Sequence, residues 1–189
     1  MEQKIKCVVW DLDNTLWNGV LSEGDDVKLK DGVLEIIKTL DERGILQSVA
    51  SKNNFEDAYK KLEELGVAEY FLYPQISWNP KSESIKNIAE KLNIALDTFA
   101  FIDDSPFERE EIMTADERIL AVDALNADKI LDMERFIPKF ITEDTKNRRL
   151  MYIADSKRKQ EEQEFKGDNT EFLKSLGMKL TIAPVTEHD

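Results

Sequence analysis

The chain contains a single cysteine and a single histidine. Cys7 alone excludes an intrachain disulfide framework, and a reducing cytoplasm is the simplest expectation for its location. His188 stands next to the C-terminus, so the sequence offers neither an internal histidine base nor a multi-histidine metal centre. No apolar run is long enough to span a membrane, and the N-terminus lacks the basic-then-apolar layout of a secretory signal. Positive charge is in short supply, with 26 Lys and Arg against 39 Asp and Glu and a net charge of −13. That balance disfavours nucleic-acid backbones and anionic membranes as partners. A phosphorylated substrate would have to be met by local positive groups or a metal. There is no internal repeat and no low-complexity linker, so 189 residues read as one domain with a sizeable core.

What the chain does contain is an alternation of short apolar runs and amphipathic helices. Residues 5–10 read as a buried parallel strand. Residues 17–29 hold two short apolar pieces around a Gly/Asp turn, the pattern of a small hairpin or flap. Asp31 is placed to cap a helix whose apolar face is Val33, Leu34, Ile36, Ile37 and Leu40, with Gly44 past its end. Residues 46–50 form a second strand, ending at Ser51. Asn53 or Asn54 caps the next helix, and Gly66 follows it. Further strands are predicted at 70–73, 98–102 and 119–122, and helices open at Lys81 and near Pro106. From Thr142 a long charged helix is predicted to about residue 165, then a helix at 169–176 and an edge strand at 178–182. The basic groups at 146–149 and 157–159 read as a solvated helix face, with docking of an acidic carrier protein as the alternative. The fold class is therefore α/β, a Rossmann-like, doubly wound parallel sheet with a hairpin flap. Its core covers residues 1–138, and 139–189 form an appendage of helices and an edge strand.

Four positions then fall at the carboxyl ends of successive strands: Asp11 with Asp13, Ser51, the loop leading to Lys81, and Asp103 with Asp104. Open α/β sheets bind ligands at that edge. The residue types suit phosphoryl transfer. A carboxylate can attack phosphorus, and a second acid can move the proton of the leaving oxygen. Carboxylate oxygens suit Mg²⁺, while a hydroxyl and an ammonium can hold the equatorial phosphate oxygens. Any one of these features has a plain structural explanation. Asp103-Asp104 could cap the helix at Pro106, for example, and only the set overturns such readings.

In that order, Asp11-Leu12-Asp13-Asn14-Thr15, Ser51, Lys81 and Asp103-Asp104 resemble the four motifs of the haloacid dehalogenase superfamily. The resemblance implies that Asp11 is the nucleophile and Asp13 the general acid/base. It implies that Ser51, Lys52 and Lys81 bind the phosphoryl group. It implies Mg²⁺ held by Asp11, the Asp13 backbone carbonyl and Asp103, with Asp104 acting on its waters. Glu108 would either join Asp104 there or lie on the surface. The segments 11–20, 49–54, 78–82 and 101–110 look closer still to the capless subfamily IIIC, the FkbH-like proteins and the related magnesium-dependent phosphatases. That resemblance implies a phosphorylated small molecule or an acyl carrier protein as partner. It also implies that the chain is the N-terminal part of a longer protein with an acyltransferase-like domain downstream.

Neither the interval before the first helix nor the roughly thirty residues between Ser51 and Lys81 can house a folded cap. The site is therefore expected to be open, with Trp17, Asn18 and Val20 at its mouth, or with Trp17 merely packing the flap on the sheet. Asn53 and Trp78 either touch substrate or shape their loops. The FkbH-like resemblance implies that glyceryl transfer from a bisphosphoglycerate to a carrier protein would use a cysteine for its acyl stage. Cys7 lies four residues before Asp11, more than about 10 Å away along an extended strand. Phosphatase chemistry through an aspartyl-phosphate is thus the first expectation, glyceryl transfer the second, and a non-catalytic docking module the third.

Overall fold

The computed structural model describes residues 3–164. The first strand, β1, is Cys7–Trp10, buried at every position because it is covered on both faces. The chain then makes a hairpin from β2, Trp17–Asn18, and β3, Lys28–Leu29, with a 3₁₀ turn at Leu21–Glu23 between them. This is the expected flap. Helix α1, Val33–Glu42, buries Val33, Ile36, Ile37 and Leu40. Its start departs from expectation. Gly32, not Asp31, is the N-cap, in a left-handed conformation with φ 79°, and no side chain caps the helix.

β4, Leu46–Ser51, is buried throughout and leads to α2, Phe55–Glu64, whose cap is Asn54 accepting from the Asp57 amide. The next strand is displaced from the predicted 70–73. Residues Ala68–Tyr70 form a 3₁₀ turn, Phe71 makes only an isolated bridge to Gln47, and Tyr73 takes φ 50°. The left-handed Tyr73 redirects the chain, and pairing resumes at β5, Gln75–Ile76. Helix α3, Lys81–Leu92, buries Ile85, Ile88, Ala89 and Leu92 as expected. β6, Phe99–Asp103, helix α4, Pro106–Ala115, and β7, Leu120–Asp123, follow.

All four pairings of the five-stranded sheet are parallel, in the order β5-β4-β1-β6-β7. The chain fills one side of β1 and then returns to fill the other. That reversal opens a crevice at the carboxyl ends of β1 and β6. Trp10, Trp17, Phe99, Phe101 and Phe136 are the largest side chains closed off in the core.

The expected long charged helix is interrupted. Thr142 caps a short α5, Glu143–Lys146, and α6, Arg148–Glu164, begins after Asn147. The break lets the start of α6 join the core. The Arg149 guanidinium meets Asp41 at 2.9 Å and lies over the Tyr70 ring, Arg148 donates to the Gly44 carbonyl, and Tyr152 donates to that of Leu92. Arg148 and Arg149 are therefore not the solvated face that the charge pattern suggested. A first compact unit runs to Tyr152. Among the described residues, a second unit contributes only the rest of α6. The helix expected at 169–176 and the edge strand at 178–182 lie outside the described residues. No helix among the described residues is long and apolar enough to cross a membrane.

Candidate active site

Trp10 pairs with Val49 on one side and with Ile102 on the other. Asp11 and Asp103 therefore leave neighbouring strands at one level, and Ser51 closes β4 nearby. The Asp11 amide donates to the Ile102 carbonyl at 2.9 Å, which extends the ladder one residue and fixes the Asp11 backbone. Lys81 opens α3 and turns inward. Its Nζ lies 2.8 Å from Asp11 Oδ1, 2.6 Å from Asp103 Oδ2 and 3.3 Å from Glu108 Oε2. Lys52 reaches the other oxygen of Glu108 at 2.8 Å. Exposures of 6% for Asp11, 4% for Lys81 and 0% for Asp103 make this a buried charge cluster.

Burial of this kind is costly unless the charges compensate one another. It pushes the Asp11 carboxyl up to about 6, with the Lys81 ammonium pulling it down and Asp103 adding to the rise. Burial likewise raises Asp103 above its ordinary value, against the pull of Lys81. For Lys81 burial acts downward, but Asp11 and Asp103 outweigh it and hold the ammonium protonated well above its usual range. Burial alone would raise Glu108; its bond to Lys52 and the charge of Lys81 outweigh that and lower it.

Two ammoniums, Lys81 and Lys52, thus meet three carboxylates, and Asp104 stands beside them as a fourth. Asp11, Asp103 and Asp104 each offer an oxygen, all within 4.8 Å of one another. The surplus negative charge and the hard oxygen donors fit a divalent cation such as Mg²⁺. Thr15 helps to place this group: its hydroxyl accepts from the Asp104 amide at 2.9 Å and lies 3.4 Å from Asp104 Oδ1. Arg109 braces the end of β6, donating to the Asp103 carbonyl at 2.7 Å and pairing with Asp123 at 2.6 Å.

The Asp13 side chain is engaged elsewhere. Its Oδ1 accepts from Trp17 Nε1 at 2.8 Å and from the Leu21 amide at 3.0 Å, and its Oδ2 accepts from Asn53 Nδ2 at 2.8 Å. Both Trp17 and Asn53 point toward this carboxylate. Trp17 is 0% exposed and Asn53 2%, because each is turned inward onto Asp13. Asn18 remains exposed on the flap, and Val20 is half-buried. A cavity of about 320 Å³ opens beside Asn53, with Leu21 and Ser22 of the flap, Lys60 and Lys61 of α2, and the exposed Trp78 on its walls.

Asp11, Lys81, Asp103 and Asp104 come together as the strand ends required. Ser51 is buried at the end of β4, and the Lys52 ammonium rests on Glu108. Glu108 is half-buried, with its carboxylate between Lys52 and Lys81. Its spacing of one helical turn after Asp104 was the available signal for that. Sequence reasoning gave no role to Thr15 or Arg109, although Thr15 closes the first motif and Arg109 adjoins Glu108. Cys7 is 0% exposed within β1, and burial pushes its thiol well above the ordinary range, so it takes no part in this site.

This fold and this edge of the sheet agree with a family-level match. The model for haloacid dehalogenase-like hydrolases fits residues 17–122, more than half of the chain, and the chain belongs to that family. The match begins after Asp11 and Asp13, so those two acids are separate support for the same assignment. Among solved structures, the chain is similar to the N-terminal part of a Bacteroides fragilis protein that contains a phosphatase domain and was crystallised with Mg. Identity is 26%, the TM-score is 0.58, and the alignment covers 80% of this chain and 40% of that one. This chain thus spans two fifths of the length of that relative. A HAD-superfamily hydrolase from Ehrlichia chaffeensis shares the fold at 16% identity and a TM-score of 0.53, covering 81% of this chain and 100% of that one. A haloacid dehalogenase-like family hydrolase from Xanthomonas campestris does so at 14% and 0.54, covering 70% and 98%. No curated protein matches significantly.

Proposed function

We propose that this chain is a Mg²⁺-dependent phosphatase of the capless, FkbH-like type that acts through a phosphorylated Asp11. One observation carries the reading: a buried lysine bridges Asp11 and Asp103 at adjacent carboxyl strand ends, with a further acid in reach of both. The phosphatase domain of the Bacteroides fragilis relative supports the reaction class, and its Mg supports the metal. Asp11, Asp103 and Asp104 would hold the ion, together with the Asp13 backbone carbonyl. When bound it would offset phosphate charge and balance the surplus of carboxylates.

The residues divide the work as follows. Asp11 attacks phosphorus; the bond from phosphorus to the leaving oxygen breaks, and Asp13 donates a proton to that oxygen. Water then attacks the Asp11 acyl phosphate, Asp13 takes the proton, and phosphate leaves with the Asp11 carboxylate restored. Lys81, Lys52 and Ser51 hold the equatorial oxygens. The cavity between flap and α2 receives the leaving group, because it opens beside Asn53, which is bonded to Asp13. The substrate is a phosphorylated small molecule or a carrier-bound one. Cys7 gives no support to acyl transfer through a thiol of this chain. The test is phosphate release from p-nitrophenyl phosphate. Wild type should be active with Mg²⁺ and silent in EDTA, and Asp11→Asn should be silent in both. Undiminished turnover by Asp11→Asn would refute the reading.

A further inference from the structure

The hydrogen bonds on Asp13 distinguish its two oxygens. A carboxylate offers about four lone-pair positions, two on each oxygen. Oδ1 accepts from Trp17 Nε1 at 2.8 Å and from the Leu21 amide at 3.0 Å, so both of its positions are filled. Oδ2 accepts only from Asn53 Nδ2, at 2.8 Å, and keeps one position open. Both donors to Oδ1 come from the flap. The donor to Oδ2 comes from the loop between β4 and α2. Trp17 and Asn53 are almost fully buried, so neither N–H has bulk water as a competing partner.

We infer that Trp17 and Asn53 are positioning residues that clamp the Asp13 carboxylate so that Oδ2 alone exchanges a proton with the reacting oxygens. The inference rests on the proposed role of Asp13 as the acid. Trp17 and Leu21 pin Oδ1 to the flap and stop the carboxylate from turning. Asn53 sets the direction of the one open position on Oδ2. The two flap donors thus tie the placement of the flap to the aim of the acid. Trp17 is thereby a proton-transfer support rather than a wall of the substrate mouth.

The claim predicts a dependence on the leaving group. An alkyl alcohol needs its proton as the phosphorus–oxygen bond breaks, whereas p-nitrophenolate hardly does. Trp17→Phe removes the indole N–H and keeps a ring, and Asn53→Ala removes the amide. The measurement is kcat/KM with Mg²⁺ for p-nitrophenyl phosphate and for a simple alkyl phosphate, since that ratio reports the steps up to loss of the leaving group. Each variant should lose about tenfold or more on the alkyl ester and only a few-fold on the aryl ester, as partial loss of general-acid catalysis requires. Asp13→Asn should show the same bias more strongly. Equal losses on the two esters in both positioning variants, with the bias intact in Asp13→Asn, would overturn the clamp and leave the acid role standing. No bias in Asp13→Asn would overturn the acid role itself. Thermal unfolding of each variant separates misfolding from mispositioning. If Trp17→Phe does not fold, the claim stands or falls on Asn53→Ala.

Discussion

Asp11 carries its cost in the absence of metal. Burial holds its carboxyl near pH 6 in the folded chain, above the usual carboxylate value of 3.8. Between those two values the folded protein keeps a proton that the unfolded chain has already released. Stability therefore falls as pH rises through that window, and the deficit persists above it. Asp11→Asn removes the titration. In EDTA at pH 7.5 it should be more stable than wild type, by on the order of 2 kcal/mol, and the advantage should disappear near pH 4. Urea denaturation of both proteins at the two pH values decides this. A variant less stable than wild type at pH 7.5 would refute it. At this scale the acids were legible as a set, because Asp11, Asp13, Asp103 and Asp104 follow strands that also lead to Ser51 and Lys81, where any one acid alone could be a cap. The partners of Asp13 were not. Nothing in a sequence says that a tryptophan four positions on and an asparagine forty positions on will both turn toward one carboxylate, because that depends on how flap and loop meet.

The elements depend on a few backbone positions. Gly44 has φ +67°, and a Cβ there would stand 2.5 Å from the Thr145 carbonyl oxygen. Gly44→Ala must therefore shift α5 or strain the turn before β4, and should cost about 1–3 kcal/mol by urea denaturation. The position lies before β4 and the active residues after it, so kcat should be unchanged. Gly19 is the opposite case. It has φ +96°, and a Cβ would meet Asp25 Oδ2 at 2.9 Å, the same oxygen that accepts from the Val20 amide and shapes the flap. Gly19→Ala should lower kcat more than it lowers the unfolding midpoint. A normal kcat there would show that the flap plays no part in turnover. Strands β1 and β6 were legible as apolar runs of the right length. β5 was not, because the apolar residues at 70–73 pair through one isolated bridge only and Tyr73 turns the chain. The interruption at Asn147 was hidden as well. Local charge and propensity continue through it, and the break serves contacts of Arg148 and Arg149 with residues far back in the chain.

Every candidate active residue lies in the first compact unit. A net charge of −13 adds long-range repulsion to the local crowding of carboxylates. A divalent cation should therefore bind the folded chain and stabilise it. At a hundred times its dissociation constant Mg²⁺ should contribute about 2.7 kcal/mol, a rise in Tm of about 5–10 °C. The rise should shrink to near nothing in Asp103→Asn, and K⁺ at matched ionic strength should not reproduce it. An equal shift in wild type and variant would place the ion elsewhere. The topology of the described sheet was the most legible feature. A chain that alternates strand and helix with one acid pair after its first strand has few places to put them.

Cys7 has a practical consequence. It is the only cysteine of the chain, it is closed off in β1, and its thiol is far from ionised at neutral pH. The native protein therefore presents a blank background to thiol reagents. Asn18→Cys, on the exposed tip of β2, would be the single site to label, with no background cysteine to remove first. A fluorophore there would report in real time whether the flap moves when inorganic phosphate and Mg²⁺ are added.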